Sequence, residues 1–137
     1  MNYNKLVALD IGDVRIGIAA SESGLVYPVE TYTRTKSIKA DIRYIVEKIL
    51  EIGPERVIIG KPYNGDDTTQ IDKNNEVVER LSRRLSVPFD FVNEACTSIS
   101  AESELIGLDI SRKKRKKVID QLAAVIILES YLSEIKN

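Results

Sequence analysis

Apolar positions along the chain first follow strand-like runs and then change to helical spacing, and that change of period divides the sequence into elements. Residues 5–11 (KLVALDI) form an apolar run of strand length, and 15–20 (RIGIAA) form a second. The Gly12-Asp13 pair between them is a turn signal, so the two runs predict a hairpin. Residues 26–33, rich in β-branched and aromatic side chains, predict a third strand, making the opening an antiparallel meander.

From residue 38 the period becomes helical. Ile38, Ile42, Ile45, Val46, Ile49 and Leu50 share one stripe, and Gly53-Pro54 ends that helix. A short buried strand is predicted at 56–60 (RVIIG), followed by a turn-rich stretch over 61–69. Val77, Val78, Leu81 and Leu85 mark a second amphipathic helix, and Val87-Pro88 leads into a strand at 89–93. The hydroxyls of Thr97 and Ser98 suit a helix N-cap, so a short helix through Leu105 is expected. The last helix is predicted over about 114–135, and its segment 118–128 is apolar on nearly every face, which predicts burial. The order βββ-α-β-α-β-α-α reads as α/β: an antiparallel meander extended by parallel strands through crossover helices. No linker, repeat or low-complexity boundary interrupts 1–137, so one domain is expected.

Composition removes whole classes of chemistry. Histidine and tryptophan are absent and Cys96 is the one cysteine, which excludes Ser-His-Asp and Cys-His catalysis, imidazole metal sites and an internal disulfide. Acid–base or metal chemistry must therefore run on carboxylates, lysine, tyrosine or hydroxyls. Lys and Arg number 20 against 21 Asp and Glu, a net charge of −1 that argues against a generic polyanion binder only until the charges are placed. No stretch reaches the apolar length of a membrane span, and the start does not read as a signal peptide; the expectation is a soluble, cytoplasmic protein without a membrane partner.

Three carboxylates stand where apolar residues are expected. Asp10 lies at the carboxyl end of the strongest strand, on the face of Leu6 and Ala8. Ligands bind at such strand ends in open α/β sheets, although an Asp capping the Gly12 turn is the plain alternative. Glu94 directly follows the 89–93 strand, with a solvated loop acid as its alternative. Asp120 lies in the apolar helix beside Ala123 and Ala124, small residues that allow close approach to a sheet; a first-turn acid favoured by the helix dipole is the alternative. Converging carboxylates repel unless a cation holds them, and hard oxygen donors suit Mg²⁺ or Mn²⁺.

The basic residues are equally uneven. Arg112, Lys113, Lys114, Arg115, Lys116 and Lys117 form one block at the start of the last helix, where the dipole disfavours cations. A nucleic-acid backbone would relieve that repulsion, reading charge and not sequence; a solvated charged segment is the alternative. Arg15 and Lys61, in loops near the strand ends, are further phosphate-contact candidates. Tyr63 and Asn64 are candidates for base or sugar contact, with a turn-stabilising Asn64 equally open.

These residues together resemble a known family. Asp10-Ile11-Gly12 with Arg15 and Gly17 resembles the opening hairpin of the ribonuclease H-like superfamily, in particular its YqgF/RuvX branch. Gly60-Lys61-Pro62-Tyr63-Asn64 resembles the branch's G-x-P-x-N loop, 93–98 (NEACTS) stands at its D-E-R-x-S-T motif, and Asp120 with Ala123, Ala124, Ile127 and Leu128 resembles its closing helix. The resemblance spans essentially the whole chain in order. Asn93 and Ala95 depart from the usual acid and arginine, and Asp67 stands where glycine is common.

The resemblance implies a ribonuclease H-like fold: a mixed five-stranded sheet, with an antiparallel β1-β2-β3 meander plus parallel strands, flanked by helices. It also implies a divalent-metal nuclease whose acidic triad is Asp10, Glu94 and Asp120, binding Mg²⁺ or Mn²⁺. The expected substrate is structured RNA, through maturation of the 5′ end of pre-16S rRNA. Resolution of four-way DNA junctions is the alternative and carries a two-fold homodimer with it, since two strands must be cut. A non-catalytic nucleic-acid-binding protein on the same fold is a third reading, favoured by the departures at 93 and 95.

Overall fold

The computed structural model describes residues 4–61, 69–93 and 112–136; at 61, 69–74, 93, 112–121, 135 and 136 the description is of the backbone alone. The expected short helix ending at Leu105 lies outside the described residues. The elements are β1 (Lys5–Ile11), β2 (Arg15–Glu22), β3 (Leu25–Thr33), α1 (Ile38–Ile52), β4 (Arg56–Lys61), α2 (Thr69–Arg84), β5 (Phe89–Asn93) and α3 (Arg112–Lys136). They build a five-stranded sheet in the order β3-β2-β1-β4-β5. Strand β1 pairs antiparallel with β2 and parallel with β4; β2–β3 is antiparallel and β4–β5 parallel. The mixed sheet and flanking helices are those expected from the sequence.

Strands β2 and β3 run further toward each other than the apolar pattern indicates, pairing as far as Glu22↔Leu25. The reason is the connection: Ser23 (φ 53°) and Gly24 (φ 87°) make a two-residue turn with both φ positive, the hairpin geometry that matches strand twist. The register shifts between Ile18 and Ala19, whose partners are Glu30 and Pro28, leaving Val29 as the extra residue of a bulge. Pro28 lacks a ladder donor and is tolerated because β3 is an edge strand.

Period-two alternation gives the sheet two different apolar faces. Val7, Leu9, Ile11, Ile16, Ile18, Ala20, Val57 and Ile59 pack with Ile42, Ile45 and Ile49 of α1 and Val77 and Leu81 of α2. On the other face, Leu6, Ala8, Ile58 and Val92 pack with Ile127, Leu128, Tyr131 and Leu132 of α3. Helix α3 crosses all five strands, lying mainly over β2, β3 and β1. Close approach there is possible because Ala8, Ala19, Ala123 and Ala124 are small and fully or almost fully buried. Ser37 caps α1 by accepting from the Ala40 N–H at 3.2 Å, and Gly53 (φ 69°) ends it by donating to the Ile49 carbonyl at 2.8 Å.

Candidate active-site edge

Because β1, β4 and β5 are parallel, their carboxyl ends reach one edge of the sheet, and β1 is the central strand. Asp10 is the penultimate residue of β1 and is half-buried. It follows Leu6 and Ala8 on the face covered by α3, whereas Val7, Leu9 and Ile11 face the other helices. Its ladder partner on β2 is Gly17.

The same edge collects the other strand ends. Lys61 closes β4 level with Asn93, the last residue of β5, and Glu94 is the next residue in the chain. Arg15 opens β2 opposite Thr33 and is half-buried. The six basic residues 112–117 occupy the start of α3. By helical period, position 120 precedes Ala123 and Ala124 by one turn and Ile127 by two, on the stripe whose later members are buried against the sheet. The structure thus brings Asp10, Arg15 and Lys61 to one edge and sets position 120 on the helix that covers that face. Glu94 and Asn64 lie outside the described residues.

The turn after Asp10 is tightly held. Gly12 donates its N–H to the Arg15 carbonyl at 2.9 Å, and a Cβ at Gly12 would lie 2.9 Å from that same oxygen, so only glycine fits without a shift. The segment joining β3 to α1 grips the turn from outside. The Arg34 N–H donates to the Val14 carbonyl at 2.8 Å, and its guanidinium Nη1 donates to the Gly12 carbonyl at 3.0 Å. Arg34 Nε lies 3.4 Å from Asp41 Oδ2.

Asp41 is 2% exposed, on the core face of α1's first turn. Its Oδ1 accepts from the Tyr32 hydroxyl at 2.9 Å, the Thr35 N–H at 2.9 Å and the Thr35 hydroxyl at 3.0 Å. Burial pushes this carboxyl up, but the hydrogen bonds from Thr35, Tyr32 and Arg34 outweigh it and hold it below the usual carboxylate range. The Tyr32 hydroxyl is pushed up to about 12 by burial and by the Asp41 carboxylate. Its ring stacks on Tyr44 with centroids 4.3 Å apart, and the Tyr44 hydroxyl donates to Glu30 at 2.7 Å. None of this web was anticipated from the residue pattern. One signal was available: Asp41 falls on the Ile38, Ile42, Ile45 stripe, where a solvated acid does not belong.

Among the described residues, no group of three or more His, Cys, Asp or Glu converges as a metal site. The donor described at the edge is the Asp10 carboxylate, a hard oxygen ligand at a strand end, which fits Mg²⁺ or Mn²⁺ chemistry.

Comparison with known proteins agrees with this fold. A family model described as "RuvX: Holliday junction resolvase" matches residues 4–134. A protein of Caldanaerobacter subterraneus named "Putative pre-16S rRNA nuclease" is 42% identical, over 97% of this chain and 99% of its own length. One of the same name from Desulforudis audaxviator is 41% identical, over 97% and 96%. Among solved structures, Thermus thermophilus RuvC in complex with Holliday junction substrate superposes with a TM-score of 0.63 at 12% identity, covering 95% of both chains. At that identity the likeness is one of fold.

Proposed function

We propose, because this chain belongs to the RuvX family, that it is a nuclease hydrolysing phosphodiester bonds in the 5′ region of pre-16S rRNA. The observation that carries the reading is the half-buried Asp10 at the carboxyl end of the central strand, on the face covered by α3, with the ends of β4 and β5 beside it. Residues 1–137 are read as one catalytic domain acting in the cytoplasm; no helix among the described residues is long and apolar enough to cross a membrane.

In this reading Asp10, Glu94 and Asp120 hold Mg²⁺ or Mn²⁺. The bound ion supplies Lewis-acid stabilisation of charge developing on the phosphoryl oxygens and lowers the pKa of an attacking water. Asp10 is fixed by the β1–β2 ladder and supplies one hard donor at the rim of the sheet. Arg15 and Lys61 lie on the same edge and contact backbone phosphates, and Asn64 contacts a base or sugar. Arg112, Lys113, Lys114, Arg115, Lys116 and Lys117 neutralise further phosphates along the strand, contributing affinity without base specificity.

Asp10→Asn tests the assignment, because it preserves shape and removes the charge. Mg²⁺- or Mn²⁺-dependent cleavage of precursor rRNA should fall at least about a hundredfold, a loss of order 3 kcal/mol in transition-state stabilisation. Undiminished cleavage with an unchanged melting curve would sink the nuclease reading. The RuvX description and the RuvC-like fold favour one second reading, resolution of branched DNA by a two-fold homodimer. A four-way DNA junction assayed beside precursor rRNA, with the mass in solution measured by light scattering, separates the two.

A further inference from the structure

We propose that Arg34 is a positioning residue for the active-site turn, locked in place by Asp41, so that α1 and the β3–α1 segment hold Asp10 in register for metal binding. The inference rests on the reading of Asp10 as a metal ligand and goes beyond it, since neither Arg34 nor Asp41 belongs to the acidic set or to the phosphate-contacting cations.

The geometry runs inward from the helix. Asp41 Oδ1 is filled by three donors, the Tyr32 hydroxyl and the N–H and hydroxyl of Thr35. That leaves Oδ2 for Arg34 Nε. With Nε facing Asp41, the planar guanidinium turns Nη1 onto the Gly12 carbonyl at 3.0 Å, two residues past Asp10. The backbone N–H of the same residue takes the Val14 carbonyl, so both carbonyls that Arg34 holds lie in the turn between β1 and β2. Arg34 itself is 16% exposed and Asp41 2%, which removes most competing water from the link.

A turn held at Gly12 and Val14 transmits little slack to Asp10, and small displacements of a ligand-bearing backbone have large effects on such sites. Lysine could satisfy the Asp41 charge but lacks the planar fork that faces a carboxylate and a carbonyl at once. Arg34 lies on the outside of the turn and holds main-chain atoms, so its removal should affect metal binding and turnover, and leave substrate affinity alone.

The test uses the full chain with Arg34→Gln, Arg34→Lys and Asp10→Asn. Three quantities are read: amide hydrogen exchange at residues 12–15, Mn²⁺ affinity by calorimetric titration, and kcat and KM on precursor rRNA. Arg34→Gln should speed exchange at residues 12–15 and weaken Mn²⁺ binding, each about tenfold, and lower kcat with KM unchanged; amides of β5 should keep their protection. Arg34→Lys, the milder change should Arg34→Gln fail to fold, should fall between it and wild type on all three.

Unchanged exchange at the turn would overturn the clamp. Faster exchange with unchanged Mn²⁺ affinity, where Asp10→Asn abolishes binding, would reduce Arg34 to a structural latch and overturn the positioning role. Mn²⁺ affinity unaltered by Asp10→Asn would instead strike at the metal reading, and the positioning claim would fall with it.

Discussion

At the scale of single residues, Asp41 shows how a charge is made acceptable inside a core. Four donors converge on its two oxygens, and the resulting carboxylate is more acidic than an exposed one. Between its folded and unfolded pKa values it binds fewer protons when folded, so its contribution is complete above about pH 4 and is lost as pH falls through the lower, folded value. Tyr32 and Tyr44 act in the opposite sense. Both are raised from 10.0 to about 12, so their contributions are complete below pH 10 and are lost as pH rises toward 12. Melting temperatures across pH should fall at both ends, and Asp41→Asn should remove part of the acid limb. Asp41→Ala leaves the Tyr32 hydroxyl and Arg34 guanidinium without their shared partner and should cost about 3–5 kcal/mol in urea unfolding. A cost below about 1 kcal/mol would mean that water replaces the carboxylate.

At the scale of elements, α3 decides how near the sheet and its covering helix can come. Ala123 and Ala124 are almost fully buried against a sheet face that itself carries Ala8 and Ala19. Ala124→Leu should therefore overpack the interface and destabilise by about 1–3 kcal/mol, read as a lowered urea midpoint. The half-buried Val125, on the adjacent flank, should accept the same leucine with a smaller loss. The elements themselves were legible beforehand wherever apolar period and turn chemistry agreed: both helices α1 and α2, the β1–β2 hairpin, the buried run of β4 and the short strand β5. Where a boundary moved, as at Glu22 and Leu25, pairing across the Ser23-Gly24 turn moved it. Period alone does not register cross-strand pairing.

At the scale of the whole molecule, a net charge of −1 conceals a segregated distribution, with six cations in succession at 112–117. If that run meets a nucleic-acid backbone, replacing Lys113, Lys114 and Lys116 by Gln should weaken RNA binding while leaving the melting temperature in place. The slope of log affinity against log salt should shrink by about 0.7 per lost phosphate contact with single strands. An unaltered slope would assign the run to a solvated surface. The sequence by itself determined the fold class, the strand that carries Asp10 and the exclusion of imidazole ligands from any metal site, because each follows from local period, local turn chemistry or the absence of histidine. Tertiary structure decided which strand ends meet. β1 becomes central only when β4 pairs beside it, a contact made across some fifty residues. It also decided that Arg34 reaches Gly12 and which donors meet Asp41, for the apolar stripe marks position 41 as buried but a long-range hydrogen bond leaves no periodic trace in the chain.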